Sequence, residues 1–192
     1  MLRSGLREVT REQLVRQAVL ITAFVYGLNT HDEYFALVAE DKGAAVGAIA
    51  LLVGITSVGE AVGTALAGKS ARMRNSTMAG LLVLAATLFA SGASLGGIVG
   101  FALLAGATGI HNNLIVVHEA RLQDTIEGPA RATVTSVSGL LTELVAIATF
   151  GAYAVGSAWV SVSTLVALMS LPLVLAALLV PRWTPRATSE LE

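Results

Sequence analysis

The sequence predicts an all-α membrane protein, a bundle of six transmembrane helices. Apolar residues make up 55% of the 192 residues and charged residues only 13%, and the mean hydropathy is +0.75. A soluble domain carries about a quarter of its residues as charged side chains, so this chain requires lipid as its solvent. The apolar residues also fall in blocks of about 20, the length of a spanning helix.

Six segments have the length and composition of spans. The first is the weakest, because its apolar run stops at Leu28 and a polar stretch follows before Phe35. Pro172 lies inside the last segment and is expected to kink it. The predicted spans are Leu14–Leu37, Gly43–Ala67, Thr77–Leu95, Gly97–Val117, Ala132–Tyr153 and Trp159–Val180.

Basic residues predict the orientation, because Lys and Arg concentrate in cytoplasmic loops. Eleven of the 12 basic residues fall in the N-terminal segment, in the turns after the second and fourth spans, and in the C-terminal tail; only Lys42 lies in a connection on the other side. Both termini are therefore expected in the cytoplasm, and the protein in the inner (plasma) membrane. The predicted organisation is a cytoplasmic amphipathic segment 1–13, a six-helix transmembrane domain 14–183 and a cytoplasmic tail 184–192.

The composition excludes several functional classes. A formal net charge of -1 does not fit a nucleic-acid binder, which needs a basic surface. The absence of cysteine excludes disulfides, thiolate zinc sites and iron–sulfur clusters. No catalytic motif, metal-ligand pattern or glycine-rich phosphate loop stands out in the sequence. We therefore expect neither an enzyme nor a bound cofactor or metal.

Ionisable groups inside a span are costly, and each is a functional hypothesis by default. Glu143 lies near the middle of the fifth span, and Glu60 lies about one turn from the middle of the second. His111 and Asn112, followed by Asn113, form a polar cluster in the fourth. The competing interpretation is that neighbouring helices satisfy these groups and that they serve only the packing.

The first span carries a further polar set. Tyr26, Asn29 and Glu33 are spaced to share one helix face. They either face a cavity or lie in an external loop, if the span ends early. Spans one, two, four and five thus carry polar groups, whereas spans three and six carry only hydroxyls, which bond back to their own helix. Four helices around an aqueous cavity with two packed behind them would give this pattern.

Three stretches of the chain resemble a known family. The three stretches are residues 119–136, in which Arg131-Ala-Thr133 opens a helix, the basic turn Gly63–Arg74, and Glu33-Tyr-Phe-Ala-Leu37 followed by Gly43. They are similar to loops in the C-terminal six-helix half of major facilitator superfamily transporters. The resemblance implies that spans one, two, four and five line the substrate cavity and that spans three and six lie outside it.

The resemblance also implies a partner, because in that family two six-helix halves are related by an axis along the membrane normal. The second half would be another copy of this chain or a separate chain. The expected function is transport of a small organic solute by alternating access, as proton-coupled efflux, with Glu143 and Glu60 exchanging protons and His111 relaying them. The alternative is a non-transporting six-helix subunit, or a truncated half, that docks a partner through its polar faces.

Overall fold

The computed structural model describes residues 13–126 and 131–185. The predicted amphipathic segment 1–13 lies outside the described residues except for Gln13, and so does the tail 184–192 beyond Pro185. Within the described part of the chain every regular element is helical. The elements are α1 (Gln13–Gly27), a 3-10 segment (Leu28–Tyr34), α2 (Phe35–Asp41), α3 (Val46–Ser70), α4 (Asn75–Leu95), α5 (Gly97–Thr125), α6 (Arg131–Gly156), α7 (Val162–Leu168) and α8 (Leu171–Trp183).

Long apolar helices dominate the fold, as predicted. In the described residues five helices are long and apolar enough to cross a membrane: α3, α4, α5, α6 and the pair α7–α8, which together cover Val162–Trp183. The prediction of an all-helical chain built from membrane-length apolar helices is confirmed. Such helices indicate a membrane-embedded protein.

The first predicted span is not a single α-helix. α1 ends at Gly27, the 3-10 segment follows, and α2 resumes at Phe35. The break coincides with the polar stretch after Leu28, whose short side chains compete for backbone hydrogen bonds; the Asp32 carboxylate, for example, accepts the backbone N–H of Glu33 at 3.1 Å. The tighter 3-10 turn changes which side chains face inward and buries His31.

The last predicted span is broken rather than kinked. α7 ends at Leu168 and α8 begins at Leu171, with Pro172 in its first turn. Proline has no N–H to donate to the carbonyl four residues earlier and its ring clashes with that carbonyl, so the α-helical ladder stops at Leu168. Proline is tolerated in a first turn, which explains why α8 begins there.

The fourth span is longer than predicted. α5 runs to Thr125, two turns beyond the predicted end at Val117, and so it includes the residues that were assigned to a turn. α5 is also the most enclosed of the long helices, with 56% of its most apolar stretch buried against 11% for α3 and 17% for α6. The bundle is therefore built around α5.

Small residues bring α3 against α5. A Cβ atom placed on Gly59 would overlap the backbone of Ala105, and one on Gly63 would overlap the backbone of Gly109. The two helix backbones are in direct contact, which is the arrangement that a Gly-x-x-x-Gly spacing favours between membrane helices. Asn113 strengthens the contact by donating from Nδ2 to the carbonyl oxygen of Gly63 at 2.9 Å.

Arg121 ties together one end of the bundle. It is 4% exposed, and its guanidinium donates to Asn75 Oδ1 at 2.5 Å and to the carbonyl oxygens of Ala71 at 3.1 Å, Met73 and Pro185 at 3.2 Å. The α3–α4 turn, the end of α5 and the segment after α8 therefore meet at one end, which we call the basic end.

Candidate functional site

A polar cleft opens between α1, α5 and α6. Its volume is about 310 Å³, at the lower end of the range for small-molecule sites. α1 contributes a tyrosine and a threonine, α5 a carboxylate and an amide, and α6 a face of hydroxyls with a second carboxylate. The cleft is lined by Thr22, Tyr26, Glu119, Leu122, Gln123, Thr135, Ser138, Gly139, Thr142 and Glu143.

The α6 face of the cleft follows from helical periodicity. Four residues follow the pattern i, i+3, i+4, i+7 and so share one side of the helix: Thr135, Ser138, Gly139 and Thr142. Glu143 lies at the edge of this side. Gly139 adds no side chain to this face. The face therefore presents hydroxyls and a carboxylate in a helix that is otherwise apolar.

Two hydroxyls of this face make no hydrogen bond within the described part of the chain. Helical Ser and Thr side chains usually bond to a carbonyl of the preceding turn, and α6 contains two that do: Ser136 to Ala132 at 2.9 Å and Thr149 to Val145 at 2.9 Å. Ser138 and Thr142 make no hydrogen bond to any described residue. Ser138 is nevertheless only 6% exposed, so its hydroxyl is directed into the cleft.

The carboxylates of the cleft have no basic neighbour in its wall. Glu119 comes from α5 and Glu143 from α6, and no Lys or Arg is among the described residues that line the cleft. Glu143 lies midway along α6, and Glu119 lies two turns before the end of α5. The cleft therefore carries two exposed carboxylates, one midway along α6 and one nearer the end of α5.

Two contacts define the ends of the cleft. At the basic end, Gln123 Nε2 donates to Thr135 Oγ1 at 2.9 Å and joins α5 to α6. Toward the opposite end, α1 approaches α6 at Gly27, where a Cβ atom would overlap the side chain of Val145. Only glycine allows this approach, which closes the wall of the cleft above Tyr26.

Glu143 is the one predicted site residue that the structure places in this cleft. Glu60 does not line it. Glu60 is half-buried on α3 and faces the 3-10 segment, where its carboxylate interacts electrostatically with that of Asp32. The two glutamates predicted to couple protons therefore lie in different surroundings.

His111 and Asn112 lie in the packed core rather than in the cleft. His111 is fully buried and its Nε2 is 2.9 Å from the carbonyl oxygen of Val25 on α1. Asn112 donates from Nδ2 to the carbonyl oxygen of Thr108 in its own helix at 3.1 Å. His111 thus makes a contact between helices, as the competing interpretation expects, whereas Asn112 bonds within α5.

His31 joins His111 in a group that we call the histidine core, together with Phe89, Tyr34 and Tyr153. His31 Nδ1 is 3.0 Å from the Tyr153 hydroxyl, and the edges of both histidine rings contact Phe89. Tyr34 stacks on Tyr153 with ring centroids 3.7 Å apart. These contacts fasten the 3-10 segment to α6 at the end of the bundle opposite the basic end.

Asn29 and Glu33 lie on the outer side of the 3-10 segment. Asn29 is half-buried and Glu33 is exposed, and neither lines the polar cleft. The face that they were predicted to share with Tyr26 exists only in an uninterrupted α-helix, and α1 ends between Tyr26 and Asn29. Of these three residues only Tyr26 reaches the cleft.

Sequence reasoning missed Glu119, Ser138 and Thr142. Glu119 was assigned to a turn because the apolar run of the fourth span ends at Val117, although helical spacing places it one turn beyond Ile115 and on the same side. The hydroxyls gave no signal of their own, because only the structure distinguishes those that bond back to their helix.

A second depression lies between α3 and α5 and is apolar. Its volume is about 610 Å³, and small residues at the contact of the two helices form its floor, among them Gly59, Gly63, Gly106 and Gly109. Val58 and Val62, more than half exposed, form its rim. A lipid chain or another helix has the chemistry to cover such a surface.

No protein-family model, no curated protein and no solved structure matches this chain.

Proposed function

We propose that this chain is a six-span half of a secondary transporter of the major facilitator type, which moves a small organic solute by alternating access in exchange for protons. It works with a second six-helix half, either another copy or a separate chain. Both termini lie in the cytoplasm and the membrane is the inner (plasma) membrane. Glu143 is the proton-coupling residue.

The polar cleft is the observation that carries this proposal. An uncompensated carboxylate inside a membrane bundle is unfavourable, and it persists where a proton or a ligand neutralises it in turn. Glu143 meets this condition, because it lies midway along α6 in a cleft that contains no basic residue within the described part of the chain. A structural carboxylate would instead have a partner inside the bundle.

The helices around the cleft support the assignment of roles. α1, α5 and α6, which cover the first, fourth and fifth predicted spans, supply every lining residue. α4 and the α7–α8 pair, the third and sixth, supply none and pack against each other instead. Glu60, on α3, does not line the cleft, so the cleft supports a coupling role for Glu143 and not for Glu60.

The basic end of the bundle supports the proposed topology. Arg121 brings together the α3–α4 turn, the end of α5 and the segment after α8, and the start of α1 lies beside them. These are the segments that contain most of the basic residues. Under the positive-inside rule this end faces the cytoplasm.

The test is solute-dependent proton movement in proteoliposomes. The purified chain is reconstituted with a pH-sensitive dye inside, and small organic cations, anions and neutral solutes are added one at a time. We expect proton movement with one class of solute and its loss in Glu143→Gln, whereas Asp124→Asn, on α5 but outside the cleft, should behave like the unchanged chain. Proton movement that Glu143→Gln retains would contradict the coupling role.

Native mass spectrometry in nanodiscs tests whether the second six-helix half is another copy of this chain. A discrete dimer that moves protons would support a transporter built from two copies. A monomer without activity would direct the search to a separate chain. A dimer that moves protons with no class of solute would contradict the proposed transport.

A docking subunit is the second candidate, and the exposed helix faces favour it. α3 and α6 bury only 11% and 17% of their most apolar stretches within the chain. Both candidates require a covering partner or lipid for these faces. The two candidates predict different results when Glu143 is replaced. A docking subunit would bind its partner more weakly, and the solute flux of the complex would be unchanged.

A further inference from the structure

We propose that the polar cleft binds a small organic monocation, whose charged nitrogen lies near Glu119 and Glu143 and beside the ring of Tyr26, and whose polar substituent bonds to Ser138 and Thr142. This inference names the substrate class of the proposed transporter and in that sense rests on the proposed function. Binding itself does not require transport, and it is tested separately.

The sign of the ligand's charge follows from the walls. The two charged side chains that line the cleft, Glu119 and Glu143, are both acidic, and no described lining residue is basic. An anion would be repelled by these two carboxylates, which are exposed at the cleft. A cation is attracted by them and neutralises carboxylates that have no basic partner in the lining that the structure describes.

The type of cation follows from the remaining groups. Tyr26 is 41% exposed and lines the cleft, so its ring face is accessible, and an aromatic face attracts an organic ammonium group by about 0.5–2 kcal/mol. A bare metal ion would need several oxygen ligands around it, and no group of three or more potential metal-binding side chains occurs in the described residues.

The unbonded hydroxyls provide evidence independent of the charges. Ser138 is almost fully buried, and its hydroxyl makes no hydrogen bond to a described residue, although Ser136 on the same helix does bond back. The Ser138 hydroxyl is not enclosed by the packing, so it is accessible from the cleft that the residue lines. A ligand with a polar substituent could bond to it there, and Thr142, one turn further along, provides a second contact.

The volume sets the size of the cation. A cleft of about 310 Å³ accommodates a ligand at the small end of the usual range. (3-Hydroxybenzyl)trimethylammonium is a suitable probe because it combines one ring and one quaternary nitrogen with a hydroxyl group for Ser138 and Thr142. The 3-hydroxy derivatives of benzoate and benzyl alcohol (benzoate and benzyl alcohol for short) have the same ring and hydroxyl with negative or no charge, and they are the matched comparisons.

The experiment is calorimetric titration of the full chain in nanodiscs. We expect the cation to bind, and benzoate and benzyl alcohol to bind more weakly by tenfold or more. Glu143→Gln and Glu119→Gln should each raise the Kd for the cation by about tenfold, which corresponds to about 1.4 kcal/mol. Asp124→Asn, outside the cleft, should leave the Kd unchanged. Tyr26→Leu should weaken binding about threefold, and Tyr26→Phe, which keeps the ring, should not.

Three results would overturn the inference: no binding of the cation, equal binding of benzoate or benzyl alcohol, or an unchanged Kd in Glu143→Gln. A folding defect in a glutamate variant is recognised by its melting temperature. In that case protection is measured instead: the cation should slow the labelling of Ser138→Cys in the otherwise cysteine-free chain, and unslowed labelling would overturn the inference. Cation binding without solute-dependent proton movement would contradict the proposed transport alone, whereas proton movement driven only by neutral or anionic solutes would contradict this inference alone.

Discussion

The polar cleft and the histidine core both place polar side chains among apolar helices, but in different surroundings. In the histidine core, His31 and His111 are fully buried, and each has one ring nitrogen bonded, to Tyr153 and to Val25 respectively; the other nitrogen of each has no partner among the described residues. In the cleft, Ser138 and Glu143 bond to nothing described and face an open volume.

The difference shows that the type and depth of a polar residue do not define its role. A histidine in the middle of a span suggests chemistry, yet His111 holds α5 to α1. A serine in a span suggests bonding within its helix, yet Ser138 leaves its hydroxyl available. The surroundings distinguish the two regions. Each core histidine has one ring nitrogen bonded and the other enclosed by the packing, whereas the unbonded groups of the cleft face an open volume that a ligand or water can enter.

Replacing Arg121 should cause the largest loss of stability, since its guanidinium makes more hydrogen bonds than any other described side chain. Arg121→Met removes the donor shared by Asn75, Ala71, Met73 and Pro185 and leaves buried acceptors unsatisfied. We expect a loss of about 3 kcal/mol of unfolding free energy, measured by denaturant unfolding in mixed micelles. Glu143→Gln is the matched change in the cleft and should alter stability by less than about 0.5 kcal/mol; equal losses would remove the distinction between the two regions.

Tyr153 should show a smaller effect in the histidine core. Tyr153→Phe keeps the ring that stacks on Tyr34 and removes only the hydroxyl that contacts His31. The expected loss is about 1 kcal/mol, seen as a lower melting temperature. Tyr26→Phe in the cleft is the control and should have no measurable effect on stability. If Tyr153→Phe were equally neutral, the contact would not fasten the 3-10 segment to α6.

Replacing Asp41 should cause the smallest loss of stability, and this loss should depend on pH. Hydrogen bonding from Ser163, whose backbone N–H lies 3.3 Å from the Asp41 carboxylate, lowers the pKa of Asp41. A lowered folded-state pKa means that the stabilisation is present above the ordinary pKa of a carboxyl group and is lost as the pH falls through the folded value.

Asp41→Ala should therefore cost about 0.5 kcal/mol or less at neutral pH, because the carboxylate is exposed to water. Melting temperatures of the variant and of the unchanged chain should begin to converge as the pH falls below about 4, near the unperturbed pKa of aspartate, and should meet only below the lowered folded-state pKa. A difference that does not shrink at all as the pH falls would mean that Asp41 acts through packing and not through its charge.

The sequence predicted the helices well and the cleft only in part. Apolar blocks predicted α3, α4 and α6 within a few residues, because a membrane span leaves little choice of structure, but α5 extends two turns beyond its apolar block. The break at Gly27 depends on local competition for backbone bonds, which hydropathy does not report, and Pro172 predicted a kink where the structure has a break at Leu168. Glu143 was predicted from its depth, but Glu119, Ser138 and Thr142 become site residues only when α1, α5 and α6 are placed together. The Arg121 contacts are likewise a property of packing.

The most direct test of the central claim compares two positions on α6. Ser138 and Thr149 are 6% and 7% exposed, and the chain has no native cysteine, so Ser138→Cys and Thr149→Cys differ in whether the residue lines the cleft. In membranes treated with a water-soluble thiol reagent, we predict rapid labelling of Ser138→Cys and slow labelling of Thr149→Cys. Equal rates at the two positions would contradict a water-filled ligand cleft between α1, α5 and α6.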